Sequence, residues 1–293
     1  MRIGLGLAAL GRPGYITRGH DVDLPDRTVD GMRERTHAML DAAWDAGVRF
    51  VDAARGYGLA EQFLGEWLSA RPGRRESLTI ESKWGYAYTA DWRIDAEQHE
   101  RKDHSLAMLE RQWDETCAAL GTAPDVYLVH SVTPDSGVLG DDAVLARLRA
   151  IADGGVRVGL STSGPRQAEV LLRALEVAPL GAVQATWNVL ERSVGDALVA
   201  AADAGWTVVV KEALANGAVL DALPGDRADA EAIGAALAID PRVVVLSGAV
   251  TPAQLAANLA AVDVDGAAIA RATASLVQAP QEYWRARSAR EWR

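Results

Sequence analysis

The chain has 293 residues, a formal net charge of −10 at pH 7 and a hydrophobic fraction of 49%. That fraction is ordinary for a globular protein with a sizeable core, whereas the acidic charge argues against a nucleic-acid surface. A single cysteine excludes an intrachain disulfide. No apolar run resembles a leader or reaches the length of a membrane span, so we expect a cytoplasmic protein without membrane contact.

Eight short runs rich in aliphatic and β-branched residues recur along the chain, and a helix-like segment follows each of them. Continuous apolar runs of this kind are typical of parallel strands buried on both faces. Eight alternating units predict an α/β fold, a (β/α)8 TIM barrel formed by a single domain over residues 1–293. An open, doubly wound sheet of six strands is the alternative. The predicted strands are Ile3–Leu7, Val48–Asp52, Leu78–Lys83, Asp125–His130, Val156–Ser161, Ala182–Thr186, Thr207–Lys211 and Val243–Ser247.

The helices between these strands are predicted from apolar periodicity and from residues that start or stop a helix. Gly47 and Gly121 each follow a periodic segment, and glycine is the preferred residue just past a helix end. Pro165 is expected to open one helix, and Thr251 is expected to cap the helix that begins at Pro252. The periodic segments are Met32–Ala46, Ala60–Leu68 and Leu106–Leu120.

The final segment, from about residue 266 to residue 293, lies beyond the eighth strand and its helix. Its sequence predicts an extra helix followed by a polar stretch, with Tyr283, Trp284 and Trp292 among its residues. Two interpretations stay open for this tail: an outer helix packed on the barrel, or a flap over the barrel mouth.

Four polar residues stand at or just after predicted strand ends. Asp52 ends the second strand, Tyr57 lies in the loop after it, Lys83 ends the third strand and His130 ends the fourth. In a (β/α)8 barrel the active site is built from the carboxyl ends of the strands and the loops that follow them. We therefore expect these four side chains to line one side of the same mouth.

The four residue types form a set suited to proton transfer at a carbonyl. A tyrosine hydroxyl has a pKa of about 10, and the Lys83 ammonium would lower the pKa of Tyr57. Asp52 would hold Lys83 charged, and His130 would hydrogen-bond the substrate oxygen. Alone, each residue is better explained as a helix cap, a packing residue, a structural ion pair or a core histidine. Together they predict proton donation to a carbonyl as hydride arrives on its carbon, or the reverse reaction.

These residues belong to a longer ordered pattern. It consists of Asp52-Ala53-Ala54, Tyr57-Gly58, Glu61, Leu64-Gly65, Lys83, His130-Ser131 and the downstream runs GLSTSG, VQATWNVLER and SGAVTPAQLAANL. The pattern resembles the aldo-keto reductase family over nearly the whole chain. The resemblance implies a barrel that binds an extended nicotinamide cofactor without a Rossmann domain. It also implies that Tyr57 is the general acid/base, that Lys83 and Asp52 lower its pKa, and that His130 orients the carbonyl.

By the same resemblance, residues at later strand ends are predicted to bind the cofactor. Ser161 and Thr162 match the pair near the nicotinamide carboxamide, and Gln184 matches the glutamine that binds this group. Leu214 matches the loop over the pyrophosphate. Lys211 stands where many members have a group, often aromatic, that stacks on the nicotinamide, so this lysine could reach a phosphate instead.

The segment after the eighth strand decides between the two dinucleotides. Gly248 and Gln254 stand where strong binders of the 2′-phosphate carry Lys and Arg, the side chains best suited to a dianion. Ala249 lies beside Gly248, and Asn258 matches a position near the adenine. Backbone amides near Thr251 could still bind an anion. We predict NADP(H) as the favoured cofactor, with NAD(H) as the alternative.

Aromatic residues cluster after Lys83 in the run WGYAYTADW. They predict either a loop held by aromatic packing or a wall around a flat or sugar-like substrate, formed by Trp84 together with Trp187 beyond the sixth strand. The predicted function is NAD(P)(H)-dependent reduction of an aldehyde, ketone or sugar-like carbonyl.

Three alternatives to this function remain. They are an aldose or alcohol dehydrogenase running toward oxidation, a slow-turnover regulatory protein that binds the cofactor, and a barrel aldolase with Lys83 as Schiff base. No Walker loop, HExxH or CxxC motif occurs, and the scattered histidines predict no metal site.

Overall fold

The computed structural model describes residues 1–292, which contain ten β-strands. Eight of the strands are parallel and close into a barrel, and the other two form a separate antiparallel pair. In chain order the strands are β1 Ile3–Gly6, β2 Phe50–Asp52, β3 Thr79–Trp84, β4 Tyr86–Tyr88, β5 Glu100–Lys102, β6 Val126–Val132, β7 Arg157–Thr162, β8 Ala182–Thr186, β9 Thr207–Lys211 and β10 Val244–Ser247.

The barrel closes through pairing of β1 with both β2 and β10. Every other barrel strand pairs with the barrel strands that precede and follow it along the chain. The predicted (β/α)8 barrel is therefore confirmed, and the open six-stranded alternative is wrong. All eight predicted strands occur in the barrel, with ends that differ from the prediction by at most two residues.

Helices connect the strands, and most of their ends follow the predicted signals. Pro165 is an exception, since its helix begins at Gln167 and Pro165 lies in the turn before it. Thr251 accepts a hydrogen bond from the Gln254 backbone N–H at 3.2 Å and so caps its helix, while Gly121 ends another helix in the left-handed conformation with φ of 71°. The helices are α1 His20–Asp23, α2 Val29–Asp45, α3 Ala60–Ser69, α4 Leu106–Leu120, α5 Asp142–Asp153, α6 Gln167–Ala174, α7 Gly195–Asp203, α8 Val219–Ala222, α9 Ala228–Leu237, α10 Pro252–Leu259, α11 Gly266–Ala272 and α12 Pro280–Ser288.

Side chains close the interior of the barrel below its mouth. Phe50, Val209 and Leu246 come from β2, β9 and β10 and pack against one another. Because β1 separates β2 from β10 in the sheet, Phe50 can reach the other two side chains only across the barrel interior. Side chains of this kind fill (β/α)8 barrels, so the interior is a packed core and not a channel. A ligand can therefore enter only at the mouth.

Two segments outside the barrel meet across this mouth. The pair β4–β5, inserted between β3 and α4, was not predicted from the sequence. The tail beyond α12 reaches Trp292, whose ring stacks on His99, just before β5, with centroids 4.2 Å apart and planes inclined by 5°. Of the two interpretations of the tail, the structure supports the flap.

Two features are absent from residues 1–292. None of the helices there has the length and apolar character needed to traverse a bilayer. The same residues bring no three His, Cys, Asp or Glu side chains together in a way that could hold a metal ion.

Candidate active site

A cavity of about 510 Å³ opens at the carboxyl ends of the barrel strands. Gly6, Asp52, Gln184, Lys211 and Ser247 line it, and they belong to β1, β2, β8, β9 and β10. This is the face on which (β/α)8 barrels carry their active sites, and the volume is within the range of small-molecule pockets.

The four residues predicted to be catalytic lie together at this cavity. Asp52, Tyr57 and His130 line it, and Lys83 lies behind them with 0% of its surface exposed. Lys83 Nζ donates hydrogen bonds to the Tyr57 hydroxyl at 3.2 Å, to the Ala53 carbonyl at 3.0 Å and to the Asp52 carboxylate. The structure therefore brings the set together as expected, while the catalytic roles stay a prediction.

Two glycines position the loop that carries Tyr57. Gly58 has φ of 61°, a left-handed conformation that L-residues with a side chain rarely adopt. Gly11, in the loop after β1, lies so close that a Cβ there would be 2.3 Å from the Tyr57 carbonyl oxygen. The Gly11 carbonyl also accepts a hydrogen bond from Leu59 N at 2.8 Å. These contacts tie the Tyr57 loop to the end of the first strand.

The electrostatic environment of Tyr57 differs from the expectation. Burial raises the pKa of Tyr57 well above its usual range, and the Asp52 carboxylate acts in the same direction. The Lys83 ammonium opposes this shift, but its charge is shared with Asp52 and the net change is upward. The direction of the shift is therefore opposite to the expected lowering of the Tyr57 pKa. The phenol keeps its proton at neutral pH.

His130 stands over the tyrosine as a neutral ring. Its centroid is 5.4 Å from that of Tyr57 and 5.0 Å from that of Tyr86. Burial lowers the pKa of His130 well below its usual range, and the nearby charges of Lys83 and Lys211 lower it further. A neutral imidazole beside a protonated phenol can offer a hydrogen bond to a carbonyl oxygen without adding a full charge.

Beneath these residues lies a polar network that the sequence analysis missed. Glu81 is fully buried and accepts a hydrogen bond from the Gln184 amide, which also donates to Asp52 Oδ1 at 2.9 Å. Burial raises the pKa of Glu81 well above its usual range, and Asp52 adds to the effect. Glu81 precedes Lys83 by two residues in one strand, so both side chains point to the same face. That spacing was the signal available in the sequence.

Most of the residues predicted to bind the cofactor line the cavity, whereas Ser161 and Thr162 do not and are fully buried. Ser161 Oγ accepts a hydrogen bond from Ser131 N at 2.7 Å, and Thr162 Oγ1 donates to Gln167 Oε1 at 3.3 Å. Ser163 lines the cavity instead. The seven predicted residues at the cavity are Gln184, Lys211, Leu214, Gly248, Ala249, Gln254 and Asn258.

Two buried amide atoms, one in Asn258 and one in Asn216, lack a hydrogen-bond partner within the part of the chain that the structure describes. Asn258 Nδ2 donates to Ser247 Oγ at 2.8 Å, but its buried Oδ1 accepts no hydrogen bond, and the buried Nδ2 of Asn216 donates none. Buried polar atoms of this kind cost free energy until a ligand satisfies them. The part of the cavity that these two residues line therefore fits a ligand rich in polar groups, as a dinucleotide is.

Of the aromatic cluster after Lys83 that was expected to form a wall, only Tyr86 lines the cavity, and Tyr88 and Trp92 do not. Trp84 and Trp187 do not line the cavity and are 0% and 5% exposed in hydrophobic cores. Trp84 follows Lys83 directly in β3, so strand alternation turns it away from the barrel interior. The rings that line the cavity are Tyr15, Tyr57, Tyr86 and Trp292.

The tail contributes charged groups to the rim of the cavity. Arg287 in α12 holds the buried Glu212 carboxylate with N–O distances from 2.5 to 3.1 Å. Arg290 donates to the Ala215 carbonyl at 2.6 Å. The Arg12 guanidinium lies 4.5 Å from the Trp292 ring centroid and 5.2 Å from that of Tyr57. These contacts join positions that are far apart in the sequence, so local sequence patterns could not predict them.

Comparison with known proteins agrees with this geometry. The sequence model of the Aldo/keto reductase family matches residues 2–233. Aldo-keto reductase str7 of Strobilurus tenacellus is 28% identical over 219 residues, which are 73% of this chain and 57% of that protein. D-threo-aldose 1-dehydrogenase of a Pseudomonas species is 35% identical over 83 residues, which are 27% of this chain and 25% of that protein. The matches thus span little more than half of the first relative and a quarter of the second.

Solved structures give the same assignment. A provisionally assigned aldo-keto reductase from Pseudomonas aeruginosa superposes with a TM-score of 0.68 at 25% identity, covering 92% of this chain and 90% of that one. The match of the family model extends over most of the barrel, including Asp52, Tyr57, Lys83 and His130. The chain belongs to the aldo/keto reductase family of oxidoreductases, whose members generally use nicotinamide cofactors.

Proposed function

We propose that the protein reduces the carbonyl group of an aldehyde, a ketone or a sugar-like compound with NADP(H) or NAD(H), and that Tyr57 is the proton donor. The observation that carries this proposal is the position of Lys83 Nζ, which contacts both the Tyr57 hydroxyl and the Asp52 carboxylate behind the cavity wall. A phenol held against an ammonium can give up its proton and have the resulting charge stabilised in place.

The residues divide the work of reduction among them. The bound cofactor supplies the hydride. Tyr57, whose pKa is raised, enters the reaction protonated and gives its proton to the developing alkoxide. Lys83 stabilises the tyrosinate that remains, and Asp52 keeps the ammonium in position. His130, neutral because its pKa is lowered, orients the carbonyl oxygen toward the phenol.

The choice between the two dinucleotides depends on Gln254 and its surroundings. The Gln254 side chain donates to Asp23 Oδ2 at 2.7 Å and accepts from Val250 N at 3.0 Å. A carboxylate beside this position repels a 2′-phosphate and suits a ribose hydroxyl better, which weighs against the sequence-based preference for NADP(H). Titration of the protein with NADPH and with NADH, with the fluorescence of the reduced cofactor as the readout, measures the preference between the two dinucleotides directly.

The alternative direction, oxidation of an aldose or alcohol, uses the same residues. The stretch that is similar to D-threo-aldose 1-dehydrogenase favours it as the second candidate. Oxidation needs the tyrosinate, so its rate should rise with pH because the pKa of Tyr57 is raised. The aldolase alternative fits less well, since Lys83 Nζ already contacts three acceptors and a Schiff base needs a free neutral amine.

Replacement of Tyr57 by phenylalanine tests the proposal. After turnover is established on a panel of aldehydes and sugars, Tyr57→Phe should lower kcat by about 10²–10⁴-fold, the usual contribution of a general acid, while cofactor affinity stays close to the wild-type value. Tyr88→Phe is the matched control, since Tyr88 lies in β4 outside the cavity lining. Full activity of Tyr57→Phe would exclude Tyr57 as the proton donor. If the protein bound neither NADPH nor NADH, the proposed oxidoreductase function would be refuted.

A further inference from the structure

Lys211 is a cavity-lining ammonium group without a partner of its own. It ends β9, and its side chain lines the cavity. Within residues 1–292 its Nζ forms neither a hydrogen bond nor an ion pair. The adjacent carboxylate of Glu212 is already held by two nitrogens of Arg287. The protein therefore supplies no acceptor for this ammonium.

The charges around Lys211 do not balance it. The groups that act on it most are Glu212, Arg287, Lys83 and Asp52, and these form two ion pairs among themselves. Facing it from β6 is His130, which is neutral. The three carboxylates that act most on Tyr57 and Lys211 each have a cation, and Lys211 adds one positive charge more. The pairs are Asp52 with Lys83, Glu100 with Arg12, and Glu212 with Arg287.

We propose that Lys211 binds the carboxylate of the substrate, which is then an acidic aldehyde or ketone and not a neutral one. This inference rests on the proposed carbonyl reduction and names the class of compound that undergoes it. Lys211 is partly withdrawn from water. An ammonium in this position without a counter-charge is disfavoured, and an anion that enters the cavity removes that cost. Arginine and lysine contacts to carboxylates are also among the stronger hydrogen bonds in proteins.

The position of Lys211 assigns the anion to the reacting molecule. Lys211 lines the same cavity as Tyr57 and His130, and its charge is among those that act most on His130. The unpaired amide oxygen of Asn258, which is suited to the cofactor, belongs to α10 after β10. The rings of Tyr57 and Tyr86 add walls for a flat carbon skeleton.

The pKa of Lys211 gives this site a pH dependence. The pKa of Lys211 is lowered to about 8, mainly by burial; Glu212 and Asp52 oppose this shift, and Arg287 and Lys83 add to it. The group is thus mostly protonated at neutral pH and loses its charge as the pH rises through about 8. Affinity for a carboxylate should fall over the same interval, and affinity for an uncharged analogue should not.

Two substrates of equal shape test the proposal: 4-carboxybenzaldehyde and its amide, 4-formylbenzamide. The wild-type protein should prefer the acid by about 10-fold or more in kcat/KM, the size of one hydrogen bond to a charged group. Lys211→Met should abolish this preference, and Lys211→Arg should retain part of it. Arg166→Met, which removes a charge from an exposed ion pair with Glu169, is the control for net charge and should keep the preference.

A binding measurement gives a readout that needs no turnover. Without cofactor, 4-carbamoylbenzoate should bind to the wild type about 10-fold more tightly than terephthalamide, and Lys211→Met should remove the difference. The advantage should decline as the pH is raised from about 7 to about 9, because the pKa of Lys211 is about 8.

The outcomes separate this inference from the proposed function. Turnover of both aldehydes at equal kcat/KM would overturn the role of Lys211 and leave the oxidoreductase in place. A Lys211→Met variant with about 10-fold weaker NADPH or NADH binding and an unchanged acid-to-amide ratio would assign the anion to the cofactor and also overturn it. Turnover of neither aldehyde, nor of any other carbonyl, with either cofactor would refute the proposed function and this inference with it.

Discussion

Two lysines lie at the same cavity, and the fold treats them in opposite ways. Lys83, in β3, is fully buried and contacts three oxygen acceptors, one of them the Asp52 carboxylate. Lys211, at the end of β9, lines the cavity with no hydrogen bond or ion pair inside residues 1–292. Lys83 has lost its contact with water and is held by protein acceptors, whereas Lys211 is partly exposed at the cavity and has none.

The difference shows that the acceptors for a cation at the barrel mouth can come either from the protein or from a ligand. A buried ammonium requires acceptors because desolvation disfavours the charged form. Where the protein supplies acceptors, as at Lys83, the charge is part of the folded structure and can act on Tyr57. Where the protein supplies none, as at Lys211, the ligand must bring the acceptor.

Removal of each ammonium should change stability very differently. Lys83→Met should lower the free energy of unfolding by about 3–5 kcal/mol, because the Asp52 carboxylate would stay buried without its cation. Lys211→Met should change it by less than about 1 kcal/mol, because no ion pair is lost. Urea unfolding of both variants at neutral pH measures the two values. Similar losses in both would show that Lys211 has a protein partner after all.

Glu81 extends the contrast into the network behind Lys83. Its pKa is raised, so its stabilising effect is fully present below its unfolded pKa of about 4.5 and is lost as the pH rises through the folded pKa. Glu81→Gln keeps the shape and removes the titration. The variant should therefore gain stability over the wild type above about pH 4.5, by at most about 1.4 kcal/mol per pH unit.

Chemical denaturation of both proteins at a series of pH values tests this expectation. Glu66→Gln is a suitable control, since Glu66 is partly exposed on α3 and its side chain is 37% accessible. Parallel stability curves for wild type and Glu81→Gln would mean that Glu81 carries no raised pKa.

The substitution Arg287→Met tests whether the Glu212 carboxylate can become an ion-pair partner of Lys211. Loss of Arg287 would free the Glu212 carboxylate to pair with Lys211 and should raise the pKa of Lys211 from about 8 by about one unit. The preference for 4-carboxybenzaldehyde over its amide should then weaken, and its high-pH limb should move upward. Faster amide hydrogen exchange in α12 would show that the tail has loosened, and an unchanged acid preference would contradict the role assigned to Glu212.

The sequence predicted the barrel and the catalytic grouping well, for physical reasons. Apolar strands buried on both faces stand out as continuous runs, and barrel closure brings their carboxyl ends together. Asp52, Lys83 and His130 could therefore be grouped without knowledge of any distance. The direction of Trp84 was also predictable, because alternation along β3 turns the residue after Lys83 to the opposite face of the strand.

Other properties of the site depend on three-dimensional contacts that the sequence does not display. Arg287 and Glu212 are 75 residues apart, and only the fold of the tail brings them together. The raised pKa of Tyr57 depends on how deeply the ring is buried and on the Asp52 charge beside it. The residue types alone suggested proton transfer, but they led to the wrong direction for the pKa shift of Tyr57.

The stacking of Trp292 on His99 also has a practical consequence for work with this protein. A label or tag attached next to Trp292 would lie beside the opening through which ligands pass. Met1 precedes β1 and is 61% exposed on the opposite face of the barrel. Purification handles, fluorophores and immobilisation linkers therefore belong at the amino terminus, where they leave the approach to Tyr57 clear.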